Sequence, residues 1–119
     1  MIKLTDIFKS FQSLMDLTGL EAKHYWAEAE KSNAYITWQE TGEGDRSSGD
    51  NRADEIVIQM EIELYVLDEL DPVIDTLQEL LDAYALSWSY VGSSYETTTN
   101  LIHHSWQCDF TGDTIYGET

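Results

Sequence analysis

Residues 55–66 read EIVIQMEIELYV, the most regular alternation of apolar and polar side chains in the chain. The even-numbered positions from Ile56 to Val66 are all apolar, whereas Gln59, Glu61 and Glu63 occupy odd-numbered ones. Because successive side chains of a strand point to opposite faces of a sheet, the pattern predicts a β-strand with one buried face. At about 3.3 Å per residue the strand would span roughly 40 Å, so we expect part of it to project beyond its own sheet.

The segments on either side of this strand predict the rest of the fold. Residues 4–17 place apolar side chains along one side of a helix, and Asp71 followed by Pro72 is a strong start for a second helix. Shorter strands are expected at residues 21–27 and 34–40, and residues 86–110 alternate like a hairpin around the turn TTTN. We therefore predict an α+β fold, a mostly antiparallel sheet covered by two helices, with a long loop between the central strands.

The predicted loop is residues 41–54, TGEGDRSSGDNRAD, which contain three glycines and no large apolar side chain. Long loops within compact domains are usually functional, or disordered until a partner binds. We predict that this segment becomes ordered when it docks onto a partner. The candidate docking residues are Gly42, Glu43, Gly44, Asp45, Arg46, Gly49, Asp50 and Arg52.

The 119 residues show neither an internal repeat nor a domain boundary, so we predict one α+β domain over residues 1–110 and a flexible C-terminal tail over residues 111–119. No apolar run reaches the roughly 18 residues that a membrane helix needs, and acids lie where a signal peptide would be apolar. We expect a protein that is used without secretion and does not cross a membrane. Cys108 is the only cysteine, which excludes a disulfide within the chain and fits a reducing compartment.

The charge is strongly acidic and unevenly distributed. The chain has 23 acids against 6 lysines and arginines, a formal net charge of −17. All of the bases lie in the first 52 residues, so residues 53–119 carry 14 acids and no lysine or arginine. Ordinary DNA binding is not expected, because nucleic-acid affinity comes largely from cations that displace counterions. The acidity fits solubility, repulsion of a polyanion that passes nearby, or adaptation to high salt.

We predict no catalytic residue, no cofactor and no metal site. His103 and His104 are adjacent on an alternating strand and face opposite ways, whereas a zinc site needs about four convergent ligands. Cys108 lacks the flanking signature of a nucleophile. The glycine-containing loop has no phosphate-binding lysine, and its acids do not follow the calcium-loop pattern. The four tryptophans are expected in core and subunit contacts rather than in ligand stacking.

Residues 57–82, VIQMEIELYVLDELDPVIDTLQELLD, resemble the central element of the tail-terminator and tail-completion proteins of long-tailed phages. In that family an alternating strand ends in a Leu-Tyr pair, a short acidic linker leads to Asp-Pro, and an amphipathic helix follows. The amphipathic opening helix, the aromatic strand YITWQE at residues 35–40 and the closing strand HHSWQCDF at residues 103–110 are also similar. The resemblance covers residues 4–110 and lies in the order and character of the elements.

The resemblance implies a structural virion protein that is not an enzyme. In this family a hexameric ring caps the head-proximal end of the tail tube, ends its polymerisation and joins the tail to the head neck. The implied partners are further copies of the chain, the tail tube protein and a neck or stopper protein, while DNA passes through the lumen without specific binding. The implied location is the head-proximal end of the tail, after assembly in the host cytoplasm. A head-side neck (head-completion or stopper) subunit and an acidic inhibitor that mimics DNA stay open as alternatives.

A ring would give the projecting strand a use, because a neighbouring subunit can extend a sheet by pairing with exposed backbone groups. Such heterologous contacts close into rings when the rotation permits. We predict a subunit interface at Glu55, Val57, Gln59, Glu61 and Glu63. On the ring hypothesis Glu61 and Glu63 also contribute to an acidic lumen; otherwise they belong to a solvated strand face.

Overall fold

The computed structural model describes residues 3–25, 33–44 and 56–111 of the chain. In these residues it shows two helices and five strands, which form one mostly antiparallel sheet, so the predicted α+β class is confirmed. In chain order the elements are α1 (Leu4–Asp16), β1 (Glu21–His24), β2 (Tyr35–Glu43), β3 (Ile58–Val66), α2 (Pro72–Tyr84), β4 (Ser87–Glu96) and β5 (Leu101–Phe110).

The sheet has the strand order β1-β2-β3-β5-β4, with β1 parallel to β2 and all other pairs antiparallel. β3 is therefore the central strand. It pairs with β5 along its whole length and with β2 from Ile58 to Tyr65. The expectation that this strand projects beyond its sheet is wrong: the alternation continues to Ile56 because that side chain packs on the core, although the strand begins at Ile58.

The alternation of β3 separates a buried face from a partly exposed one, as the sequence predicts. Every even-numbered side chain from Ile58 to Val66 is buried, and every odd-numbered one is partly exposed. The buried side chains of both helices join the same apolar cluster as this face of β3. The helical members of the cluster are Ile7, Phe11, Leu14, Met15, Val73, Leu77 and Leu81.

Aromatic side chains connect α1 to the sheet. The ring of Phe11 lies 5.1 Å from that of Trp38 on β2 and 4.9 Å from that of Phe110 on β5, in both cases edge to face. This arrangement is favourable beyond the area that it buries. The indole Nε1 of Trp38 donates a hydrogen bond to Gln12 Oε1 at 2.9 Å, so the buried polar atom is satisfied.

The predicted start of the second helix is confirmed in detail. The Asp71 carboxylate accepts a 2.9 Å hydrogen bond from the backbone N–H of Val73, and Pro72 occupies the first helical position.

We expect Asp71→Ala to lower the free energy of unfolding by about 1 kcal/mol, because the N-terminal N–H groups of α2 lose their side-chain acceptor. Urea denaturation followed by circular dichroism measures this. Asp68→Ala, in the exposed linker before the helix, is the matched control and should leave the stability nearly unchanged. Equal losses in the two variants would argue against the capping role.

The predicted loop begins later than expected, and parts of the predicted loop and tail lie outside the described residues. Residues 41–43, expected in the loop, are the last three residues of β2. Residues 45–54 of the predicted loop and residues 112–119 of the predicted tail lie outside the part of the chain that the structure describes. Within the described part, neither helix has the length and apolar character needed to cross a membrane.

Candidate functional site

The face of the sheet opposite the apolar cluster is rich in polar side chains, and we call it the polar sheet face. Its members follow from strand alternation and from the register of β2, β3 and β5. They are Tyr35, Thr37, Gln39, Gln59, Glu61, Glu63, Tyr65, His103, Ser105, Gln107 and Asp109. All except the buried Thr37 are partly exposed within the single chain.

The polar sheet face has carboxylates and no permanent cation. Strands β2 to β5 contain no lysine or arginine, whereas Glu61, Glu63 and Asp109 lie on this face. Adjacent rows across the three strands are Thr37–Glu63–Ser105 and Gln39–Glu61–Gln107. A surface of this composition offers no cation to a phosphate backbone.

Glu63 organises the centre of the polar sheet face. Its Oε1 is paired with Nε2 of His103, and its Oε2 accepts a 3.2 Å hydrogen bond from the hydroxyl of Ser105. The Ser105 hydroxyl donates to a carboxylate and not to a histidine, unlike the serine of a serine–histidine pair. The network fixes side-chain positions across two strands.

Three rings stack in a row next to this network. Tyr65 lies between Tyr35, with ring centroids 4.5 Å apart, and His103, at 4.7 Å, and both ring pairs are nearly parallel. Because Tyr65 has a ring on each of its faces, it cannot offer a free face to a nucleic-acid base. Burial, with smaller contributions from Tyr35, Glu96 and Glu63, raises the pKa of Tyr65 to about 12, so its hydroxyl is neutral at physiological pH.

A second cluster lies at the end of β1, on the side of the sheet that packs on the core. The His24 ring stacks between those of Tyr25 and Trp38, with centroids 4.0 Å away in each case. Glu40 accepts a 2.7 Å hydrogen bond from the Tyr25 hydroxyl, and its other oxygen lies 2.7 Å from His24 Nε2. Burial alone would raise the pKa of Glu40, but the hydrogen bonds from Tyr25 and His24 outweigh it and lower the pKa. The cluster joins the short β1 to β2.

The residues considered for metal binding and nucleophilic chemistry do not converge. His103 and His104 point to opposite faces: His103 pairs with Glu63, and His104 Nδ1 lies 2.9 Å from the Tyr90 hydroxyl. Within residues 3–25, 33–44 and 56–111 there is no group of three or more side chains that could hold a metal ion. Burial, together with Asp109, raises the pKa of Cys108 to about 12, so the thiol stays protonated and is a poor nucleophile.

Three of the five predicted interface residues lie together in the structure. Gln59, Glu61 and Glu63 lie side by side on the polar sheet face. Val57 precedes β3 and is only 7% exposed, so the chain itself already covers it. Glu55 lies outside the described residues. The backbone of β3 is paired on both sides from Ile58 to Tyr65, so contact through an open edge of this strand is excluded there.

Some of the predicted docking residues lie in the described part of the chain, and the others lie outside it. Gly42 and Glu43 belong to β2, and the backbone N–H of Gly44 donates a 2.8 Å hydrogen bond to the Val57 carbonyl. Gly42 and Glu43 also line an open groove of about 530 Å³ beside the start of α1, together with Leu4, Phe8, Glu40, Ile56 and Ile58. Asp45, Arg46, Gly49, Asp50 and Arg52 lie outside the described residues.

Comparison with protein-family models finds no model that matches the chain, and comparison with curated proteins finds no matching sequence.

Proposed function

We propose that this chain is a structural virion protein, a tail terminator whose copies form a ring on the head-proximal end of a phage tail tube. The observation that carries the proposal is the polar sheet face, a continuous surface of carboxylates, amides and hydroxyls without a lysine or arginine. The resemblance of residues 57–82 to tail terminators supports the same role. In the ring this surface lines the opening through which DNA passes.

The physical reason is the electrostatic interaction between DNA and the charged side chains that line the opening. Each lysine or arginine that contacts a phosphate releases counterions and adds affinity, which would retard a moving duplex. Carboxylates repel the duplex, so a wall that contains Glu61, Glu63 and Asp109 provides a passage without binding sites. Glu63 is held in place by His103 and Ser105, which keeps the wall ordered.

The remaining parts of the proposal concern partners and placement. The two helices cover the other face of the sheet, and the segment over residues 42–52 docks onto the tail tube protein or a neck protein. Gln59, Glu61 and Glu63 line the opening together with the rest of the polar sheet face. The ring is hexameric, is assembled in the host cytoplasm and stays in the virion at the head end of the tail.

Tube elongation tests the proposal. Purified tail tube protein of the phage that encodes this chain is polymerised with and without the protein, and tube lengths are measured by electron microscopy. We expect shorter tubes, because capped ends stop growing, and an inert control protein of similar charge should leave the lengths unchanged. Unchanged lengths at every ratio would contradict the proposal. Binding to portal complexes instead of tubes would identify a head-side neck subunit, and a monomer or dimer that binds a DNA-binding protein would identify a DNA mimic.

A further inference from the structure

The groove beside the start of α1 lies on the helix side of the sheet and has a mainly apolar wall. Its volume is about 530 Å³, and Leu4, Phe8 and Ile56 belong to this wall. Leu4 is 47% exposed, and the other two side chains are only partly buried against the core. Pockets that bind small molecules or side chains have volumes in this range. Within the described part of the chain, the groove is a candidate contact surface.

A bulge in β2 places two carboxylates on the same side of the sheet as this groove. The register passes from Glu40 directly to Gly42, so Thr41 is the extra residue. Gly42 has a φ of +143°, a conformation that favours glycine, and the Thr41 hydroxyl donates a 2.9 Å hydrogen bond to Gln59 Oε1. Glu40 and Glu43 are three positions apart and would point to opposite faces of a regular strand. Because of the bulge, both of them line the groove.

Glu40 presents a charge at a fixed position beside the apolar wall. Its Oε2 accepts a 2.7 Å hydrogen bond from the Tyr25 hydroxyl, and its Oε1 lies 2.7 Å from Nε2 of His24. Burial raises the pKa of Glu40, but the hydrogen bonds outweigh it and lower the pKa, so the carboxylate is ionised at neutral pH. Its side chain is 22% exposed, and a carboxylate has about four acceptor positions, so a further donor can bind to it.

The charges of the groove indicate what binds there. Among the described residues, neither a lysine nor an arginine lines the groove. Glu43 already takes part in another interaction of the chain, so Glu40 is the principal acceptor for a cation. A second copy, with its net charge of −17, would be repelled, whereas a basic partner would be attracted. The polar sheet face has carboxylates but no apolar wall, so a segment that is both basic and apolar fits the groove better.

We propose that the groove binds a basic segment of a partner protein. An apolar side chain of that segment packs between Leu4, Phe8 and Ile56, and an adjacent lysine or arginine pairs with Glu40. Such cationic side chains suit the site because their apolar stems can lie along the wall while their heads reach the carboxylate. The inference gives the proposed docking contact a chemistry, and it rests on the proposed function only for the identity of the partner, a tail tube or neck protein.

Short peptides with blocked ends test the groove. The probe is Lys-Leu-Leu-Lys, and the two controls are Lys-Ser-Ser-Lys, which keeps the charge, and Gln-Leu-Leu-Gln, which keeps the apolar side chains. An NMR titration that follows the backbone amide shifts measures both the affinity and the position of binding. It is performed at about pH 8, where histidine is ordinarily neutral, and at about 0.15 M salt, which screens distant charges. We expect the probe to bind and each control peptide to bind about tenfold more weakly.

Two variants, each with a matched control, locate the site. Glu40→Gln is compared with Glu61→Gln, which removes the same charge from the polar sheet face. Leu4→Ser is compared with Leu67→Ser, because the two leucines are 47% and 54% exposed. We expect Glu40→Gln to weaken binding of the probe about tenfold and Leu4→Ser about fivefold, with both controls like the wild type. Circular dichroism verifies the fold, and Leu4→Ser leaves the contacts of Glu40 unchanged.

Several results would overturn the proposal: no binding of the probe, equal binding of Lys-Ser-Ser-Lys, wild-type binding by Leu4→Ser, or amide shifts on the polar sheet face instead of at residues 4–8 and 40–43. Self-association that Leu4→Ser removes, without binding of the probe, would show that a second copy occupies the groove and would also overturn it. Tube elongation separates this inference from the ring. Probe binding with uncapped tubes would remove the ring alone, and capped tubes without probe binding would remove the groove contact alone.

Discussion

Ile62→Asp is expected to unfold the domain. Ile62 lies in the central strand, is completely buried, and has Trp38 on β2 and Trp106 on β5 as its register partners. A carboxylate at this position would be surrounded by apolar side chains and would lack a cation or hydrogen-bond donor to compensate it. We expect a loss of roughly 4 kcal/mol or more, which is most of the stability of a typical small domain.

Urea denaturation followed by far-ultraviolet circular dichroism measures this effect, and Glu61→Ala is the matched control. Glu61 is the neighbouring residue on the same strand but belongs to the polar sheet face, so we expect a change within about 0.5 kcal/mol. A cooperative, wild-type-like transition in Ile62→Asp would show that the two faces of β3 have been assigned wrongly.

The second large effect concerns DNA. Replacing Gln39, Glu61 and Gln107 together by lysine places three cations in one row of the polar sheet face. The net charge changes from −17 to −13, two units from Glu61 and one from each glutamine. We expect the wild type not to bind duplex DNA and the triple variant to bind it in the assembled form. If the assembled triple variant contacts about 6–10 phosphates, its affinity for the duplex should fall by a factor of about 10³–10⁵ between roughly 50 and 200 mM salt.

Fluorescence polarisation of a labelled duplex measures the binding. The control variant replaces Leu67, Asp68 and Leu70 by lysine, which changes the net charge by the same four units, two from Asp68 and one from each leucine. These side chains are exposed in the linker before α2 and do not belong to the polar sheet face. Equal binding by the two variants would mean that overall charge, not the position of the carboxylates, keeps DNA away.

Local patterns predicted the elements of this fold well. The alternation in β3 and the Asp71-Pro72 start of α2 depend on neighbouring residues, so their physical causes are visible in the sequence. The same alternation correctly placed Gln59, Glu61 and Glu63 on one face. Apolar alternation reports burial, however, and not backbone pairing. Ile56 is partly buried and Val57 is buried, but neither belongs to β3, so the predicted strand was longer than the observed one.

Long-range pairing could not be predicted in the same way. The pairing of β5 with β3, and the parallel pairing of β1 with β2, join segments whose sequences contain no signal of each other. The pair between Glu63 and His103 spans 40 residues and depends on the exact register of β3 against β5. For the same reason unpaired backbone groups were expected at the strongest strand, β3, whereas the edge strands of the described sheet are β1 and β4.

The most direct test of the account is an end-on electron microscopy reconstruction of tail tubes mixed with the purified protein. We expect a closed ring at one end of each tube, with its opening lined by the polar sheet face. Bare tube ends, or a ring whose opening is lined by the lysines near the start of the chain, would contradict it.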